Sequence, residues 1–175
     1  FGNKLLKNKL PESNDVKRIL IISLYFTGDL LFHTAALEVL KKIYPNALID
    51  MWVKSRTKGI IVSNNLVNDI VTYDNIKTAG YSEKTSLDLK GKKKLLSELK
   101  QNNYDIIFDI TGKYSTALFT LFVKPKYSIG INYNFFGFCY DKFIPLNTAT
   151  TPGHLIDKYL SIVKSGLGIS DTKWD

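Results

Sequence analysis

Apolar positions along this chain fall into two recurring patterns: short unbroken runs, and longer segments with a helical stripe. Ile19 to Leu24 is a nearly unbroken apolar run, as a parallel strand covered on both faces requires. From Leu30 the period changes. Leu30, Leu37, Leu40 and Tyr44 recur at spacings of 7, 3 and 4, the stripe of an amphipathic helix that Pro45 stops. Thr27-Gly28-Asp29 between them reads as a tight turn. The stretch from Lys17 to Pro45 therefore predicts strand, turn and helix. It sets a carboxylate, Asp29, just beyond the carboxyl end of a central strand, where open α/β sheets bind ligands.

The same alternation continues downstream. Ala47–Val53 predicts a second strand, Gly59–Asn65 a short helix and Asp69–Tyr73 a third strand. Asp74–Gly91 has no regular period and reads, together with the charge run Lys92-Lys93-Lys94, as a long loop; Leu95 and Leu99 then mark a helix ending near Asn102-Asn103. Tyr104–Ile110 predicts a fourth strand, Ala117–Val123 a helix and Tyr127–Ile131 a fifth strand. Asn132–Asn147 is aromatic-rich and irregular, with a short strand at Phe143–Leu146. Pro152-Gly153 opens a last helix through Lys164, which Gly166 and Gly168 terminate. Strands alternating with helices and no internal repeat predict an α/β domain built on a doubly wound parallel sheet.

Composition narrows the function classes. A chain of 175 residues fits one domain that buries roughly 70% of its unfolded surface. Cys139 is the single cysteine, so no disulfide forms within the chain, and a reducing compartment is the simpler expectation. No apolar run reaches the ~20 residues that span a bilayer. The net charge of +8 is carried almost entirely by lysine, with Arg18 and Arg56 the only arginines. Nucleic-acid readers favour the bidentate fork of arginine, so a nucleic-acid partner is not expected. Diffuse lysine suits an anionic headgroup or an acidic glycan, and equally a proteome that uses lysine wherever a surface needs charge. Phe1–Leu10 is a short basic amphipathic segment able to lie on an anionic membrane, or else a leader packed on the domain. The chain begins at Phe1 rather than Met, which leaves room for sequence upstream.

Several familiar chemistries have no residues to carry them. A single glycine follows the first strand, where a dinucleotide fingerprint needs several. A Walker loop and a GxSxG elbow are absent, and two distant histidines with one cysteine make no zinc site. DIIFDI resembles the phospho-acceptor strand of response-regulator receivers. However, no acid follows the first strand, and Lys124 lies only 15 residues beyond Asp109. Asp29 in its Thr-Gly-Asp turn remains. As a helix-start carboxylate it is favoured by the macrodipole for about 0.3–1 kcal/mol. The same field keeps it ionised at neutral pH, and such a group can accept a proton from an attacking sugar hydroxyl.

Four segments, in order, resemble glycosyltransferase family 9, the ADP-heptose:lipopolysaccharide heptosyltransferases. The opening ILIISLYFTGDLLFHTAALEVLKKIYPNALIDMWV matches the family's strand, Gly-Asp turn, Thr-Pro-Ala-Leu helix and Phe-Pro-x-Ala strand with Gly28-Asp29, Thr34-Ala35-Ala36-Leu37 and Tyr44-Pro45-Asn46-Ala47. NNYDIIFDITGKYSTALF resembles its Tyr-Asp-x-x-(Ile/Val)-Asp-x-x-Gly segment, KYSIGIN the following strand, and HLIDKYLSIVKSGLGIS its His-x-x-(Glu/Asp)-(Arg/Lys)-Tyr helix.

The resemblance implies a Rossmann-like domain, the N-terminal half of a GT-B glycosyltransferase. Residues 1–16 would be a basic segment and linker, 17–170 the acceptor-binding domain, and 171–175 the start of a linker to a second domain that holds most of the nucleotide-sugar. It implies an inverting transfer from an ADP-activated donor, with no cofactor beyond that co-substrate, to a lipopolysaccharide or other cell-envelope glycan or glycolipid. The setting would be cytoplasmic, at the inner face of the membrane. Asp29 would be the catalytic base. Gly28 would let the backbone approach substrate, Thr27 would hydrogen-bond in the same pocket, and Thr111 and Gly112 would border the cleft. The family's Thr-Pro-Ala-Leu proline is Ala35 here, and the arginines that surround an acidic inner-core acceptor are missing. Lys54, Arg56 and Lys58 are the best substitutes, the lysines acting as point charges rather than forks. A non-catalytic glycan- or nucleotide-binding module on the same scaffold is the alternative.

Overall fold

The structure, a computed structural model, describes residues 8–24, 27–72, 89–131, 136–144 and 155–169. Its centre is a six-stranded sheet in which every adjacent pair runs parallel. In chain order the strands are β1 (Arg18–Ser23), β2 (Leu48–Val53), β3 (Asp69–Thr72), β4 (Ile106–Asp109), β5 (Tyr127–Ile131) and β6 (Lys142–Ile144). Their spatial order is β3-β2-β1-β4-β5-β6. The chain winds outward from β1 to β3, then crosses back to β4 on the other side of β1. The reversal opens a crevice outside the carboxyl ends of β1 and β4.

The helices α1 (Thr27–Ile43), α2 (Lys58–Ile61), α3 (Leu89–Gln101), α4 (Tyr114–Val123) and α5 (Leu155–Leu167) cover both faces. Successive strand residues point to opposite faces, and the core divides accordingly. Ile19 and Ile21 of β1, with Ile49, Met51 and Val53 of β2, pack against Leu30, Leu37 and Leu40 of α1 and Ile162, Val163 and Leu167 of α5. Leu20 and Ile22, with Trp52 and Ile107, pack against Leu95 and Leu99 of α3 and Val123 of α4. Burying each such side chain contributes about 1.5–3 kcal/mol. This two-sided burial is why β1 reads as an apolar run without alternation.

Acids on the amino-terminal half of the sheet are used structurally. Asp105, just before β4, accepts the backbone N–H groups of Lys17 and Arg18 and meets Lys126 at 2.6 Å. Burial pushes its carboxyl up, but Lys126 and those two amides outweigh burial and hold it below its ordinary range. Arg18 donates its Nε–H to buried Asp50 at 2.7 Å, and Tyr104 Oη donates to the same carboxylate at 2.9 Å. One of the chain's two arginines is therefore committed to the scaffold.

Three sequence expectations are corrected. Thr27-Gly28-Asp29 is the first turn of α1 rather than a turn ahead of it, because nothing in those residues forbids helical backbone. The run Lys92-Lys93-Lys94 lies inside α3, which starts at Leu89. Long lysine side chains are good helix formers once Leu95 and Leu99 anchor the inner face. Gly166 lies inside α5 rather than ending it; a Cβ there would press on Ile129 of β5, so the glycine permits close helix–sheet contact. Gly168, at φ 70°, supplies the left-handed stop. The expected strand at Phe143–Leu146 is β6 at Lys142–Ile144, with Leu146 outside the described residues, as are most of Asp74–Gly91 and the opening of the last helix at Pro152-Gly153.

Candidate active site

The carboxyl end of β4 is tied to the carboxyl end of β1 by one threonine. Thr111 donates its hydroxyl to the carbonyl of Ile22 at 3.3 Å and accepts the N–H of Leu24 at 2.9 Å, while Ile110 N–H donates to the same Ile22 carbonyl at 3.0 Å. The loop after β4 thus fixes the point at which the chain leaves β1 towards α1. Thr111 and Gly112, expected at the cleft border, are both buried, and Gly112 takes φ 63°, a conformation that glycine adopts without strain.

That loop is shaped by Asp109, the last residue of β4. Its Oδ1 accepts the N–H groups of Thr111 at 3.0 Å and Gly112 at 3.1 Å, and its Oδ2 accepts the hydroxyl of Tyr140 at 2.7 Å. Thr116 in α4, beside this carboxylate, donates its hydroxyl to the carbonyl of Lys113 at 2.9 Å. Burial pushes the Asp109 carboxyl up, against the pull of the hydrogen bonds around it. Tyr140 reaches Asp109 by crossing β5 over Gly130, the residue in register with Asp109; a Cβ at Gly130 would overlap the Tyr140 ring. Burial, and then Asp109 itself, push the tyrosine hydroxyl well above its ordinary range, so it remains a donor.

On the α1 side, Ser23 at the end of β1 and His33 in α1 share a hydrogen bond of 2.5 Å, and the His33 ring stands edge-on to Tyr159 of α5 at 4.0 Å. Both Ser23 and His33 are fully buried. Burial lowers the His33 pKa to about 3. A group whose folded pKa lies below its unfolded value of about 6.5 contributes stability that is complete above pH 6.5 and is lost as pH falls towards 3. Thermal or urea unfolding between pH 7.5 and 5 tests this: His33 alone costs the native protein about 2 kcal/mol by pH 5, and His33→Gln removes that part of the dependence. An equally steep decline in the variant would assign it to other groups.

The structure places the expected site residues along one edge. Thr27, Gly28 and Asp29 form the first turn of α1 after β1. Lys54 follows β2, whose last residue Val53 is in register with Ser23; Arg56 lies in the 3-10 turn Ser55–Thr57, and Lys58 opens α2. Thr111 and Gly112 follow β4. The predicted residues therefore flank the end of β1 on both sides. Gly28 is exposed with nothing within 4 Å of where a Cβ would stand, and its φ is not left-handed. Neither packing nor backbone conformation requires glycine there, and the glycine leaves the space beside α1 open. Among the described residues no group of three or more His, Cys, Asp or Glu could hold a metal ion.

Sequence reasoning did not select Asp109, Tyr140, Ser23 or His33. Asp109 stood in a quoted motif, and His33 is one helical turn from Asp29, so both carried a signal. Tyr140 lies in an irregular segment, and only the fold brings it to β4.

No protein-family model matches the chain. Over 149 residues it is 30% identical to lipopolysaccharide heptosyltransferase 3 of Escherichia coli strain K12, an alignment taking in 83% of this chain and 41% of that protein. It is 27% identical over 143 residues to another Escherichia coli lipopolysaccharide heptosyltransferase 3, covering 79% of this chain and 39% of that one. The chain thus spans about two fifths of the length of these relatives. In fold it is similar to the glycosyl transferase family 9 structure from Veillonella parvula, with TM-score 0.72, 22% identity, and coverage of 90% of this chain and 43% of that one. It is also similar to the Escherichia coli heptosyltransferase WaaC bound to ADP-2-deoxy-2-fluoro heptose, with TM-score 0.69, 19% identity, and coverage of 90% and 50%. The strand order, the Gly-Asp pair at the end of β1 and these likenesses agree: over most of its length the chain is similar to part of the lipopolysaccharide heptosyltransferases, and it has the fold of the glycosyl transferase family 9 structure.

Proposed function

We propose that this chain is the N-terminal, acceptor-binding domain of an inverting glycosyltransferase that moves a heptose or similar sugar from an ADP-activated donor to a lipopolysaccharide or related cell-envelope glycan. The observation that carries the proposal is Gly28-Asp29 in the first turn of α1, at the sheet's switch point, with open space beside Gly28. A carboxylate in the first turn of a helix is held ionised by the helix dipole. Ionised Asp29 takes the proton from an acceptor hydroxyl as its oxygen bonds to the anomeric carbon of the donor. The sugar–phosphate bond breaks on the opposite face, ADP leaves with the electron pair, and the anomeric configuration inverts. No covalent sugar–enzyme intermediate is required. Thr27 binds in the same pocket, and Lys54, Arg56 and Lys58 bind acidic groups of the acceptor from beside β2. Thr111 and Gly112 border the cleft. Most contacts to the donor come from a second domain, and transfer takes place at the cytoplasmic face of the membrane.

The test is transfer by the protein at its full natural length, comparing ADP-, UDP- and GDP-sugars with a lipopolysaccharide acceptor. ADP-sugar turnover with inverted anomeric configuration is the expected result. Acceptor binding without transfer from any of the three donors would favour the non-catalytic glycan-binding module.

A further inference from the structure

The face of the sheet carrying α3 and α4 presents two adjacent surfaces that complement each other. Helix α4 buries Thr116, Thr120 and Val123 inward, and directly opposite them Leu118 and Phe122 stand 36% and 52% exposed. Tyr114, one turn before Leu118, is 63% exposed, and Phe138 of the neighbouring 3-10 turn Phe136–Cys139 is 43% exposed. Phe136 links the two, its ring centroid 6.3 Å from Tyr114 and 5.9 Å from Phe138. The result is a continuous aromatic and aliphatic surface that the described protein leaves to solvent, a feature that marks an interaction site. Its nearest charges in sequence are Lys113 and Lys124, both exposed at the two ends of α4, and residues 113–124 contain no acid.

Helix α3 packs beside α4 on the same face of the sheet. With Leu95 and Leu99 buried inward, Lys90, Lys93 and Lys100 are exposed on the parts of α3 turned away from those two leucines. Glu98 is the only acid in α3, and Lys94 meets it at 3.8 Å. Among the described residues, two neighbouring helices therefore combine an exposed aromatic–aliphatic stripe with five lysines and a single acid.

We propose that the α3–α4 face is a docking surface for an anionic phospholipid bilayer, with Leu118, Phe122 and Tyr114 entering the interface and the α3 lysines resting on the headgroups. Aromatic and aliphatic side chains suit the headgroup–acyl boundary, and a lysine cluster suits its negative potential. No helix of the described residues is long and apolar enough to cross a membrane, so attachment through this face is peripheral. This inference does not depend on the transferase reading, since it concerns binding alone.

Sedimentation with vesicles tests it, using the protein at full natural length. Vesicles of phosphatidylglycerol mixed with phosphatidylcholine should bind it, pure phosphatidylcholine should bind it much less, and high salt should weaken binding. Leu118→Ser combined with Phe122→Ser should lower partitioning about tenfold or more. Lys90→Gln combined with Lys93→Gln and Lys100→Gln should lower it about fivefold for each lysine that reaches the headgroups. All five positions are exposed, so melting temperatures should match wild type. Three results would overturn the proposal. One is unchanged vesicle binding in both variants. Another is binding lost on removal of residues 1–7 and unaffected by either variant. The third is concentration-dependent dimerisation that the same variants abolish, which would make this face an interface between copies of the chain.

Discussion

Asp29→Asn lowers turnover of sugar transfer by about 10²–10⁴-fold, the range expected when a positioned general base is removed. Asparagine keeps the shape of the side chain but cannot take a proton at neutral pH, so the attacking hydroxyl must lose its proton without help. The change also removes one negative charge from the first turn of α1, a stability effect limited to about 0.3–1 kcal/mol. Loss of turnover should therefore come without a comparable loss of melting temperature. Steady-state kinetics on the full-length protein, with thermal unfolding in parallel, separate the two. The acid limb of the kcat/KM profile should disappear together with the activity. Near-normal turnover in a folded Asp29→Asn protein would remove Asp29 from the role of base and leave the binding-module reading in its place.

Asp109→Ala destabilises the fold by roughly 3 kcal/mol or more, because it strands three donors at once. The amides of Thr111 and Gly112 and the hydroxyl of Tyr140 all point at one buried carboxylate. Asp109→Asn is milder, since its amide oxygen can still take the two backbone N–H groups while the Tyr140 hydroxyl turns to accept from its NH₂. The pH dependence adds a second check. Burial raises the Asp109 pKa above its ordinary 3.8. A raised carboxyl contributes stability that is complete below the unfolded pKa and is lost as pH rises through the folded one. The advantage of wild type over Asp109→Asn is thus greatest in acid and shrinks towards neutral pH. Urea unfolding of both variants across pH measures it. If Asp109→Ala costs under about 1 kcal/mol, water has replaced the carboxylate and the network is not holding the loop. Because Asp109 shapes the loop that carries Thr111, and Thr111 fixes Ile22 of β1 and Leu24 just after it, this change should also disturb the chain entering α1.

Gly28 and Tyr140 show how differently two site residues can be read. Gly28-Asp29 follows an apolar run and precedes a helical stripe, so hydrophobic period alone sets it at the end of a buried strand. Unbroken apolar runs and the 3.6 period are local, and they locate β1, α1, β2, β4 and β5 to within a few residues. A parallel sheet follows because such strands need helices on both faces. The single glycine after β1 argued against a dinucleotide fingerprint, two distant histidines and one cysteine against a zinc site, and the ordered resemblance pointed to the family.

Long-range contacts leave no periodic trace, and here tertiary structure decides. The spatial order of strands, which makes the β1–β4 junction the crevice, depends on where each crossover packs. The Tyr140–Asp109 bond spans 31 residues and the Thr111–Ile22 bond 89, and neither is visible in any local pattern. Gly130 reads as an ordinary strand glycine until Tyr140 is found lying over it. The lysine run at 92–94 looked like a loop because charge density hides helical period. Only burial of Leu95 and Leu99 makes it the exposed part of a helix. The local sequence determined the strands, the helices and an acid at the end of the first strand. Packing across the sheet decided what surrounds that acid and which faces of the domain remain open.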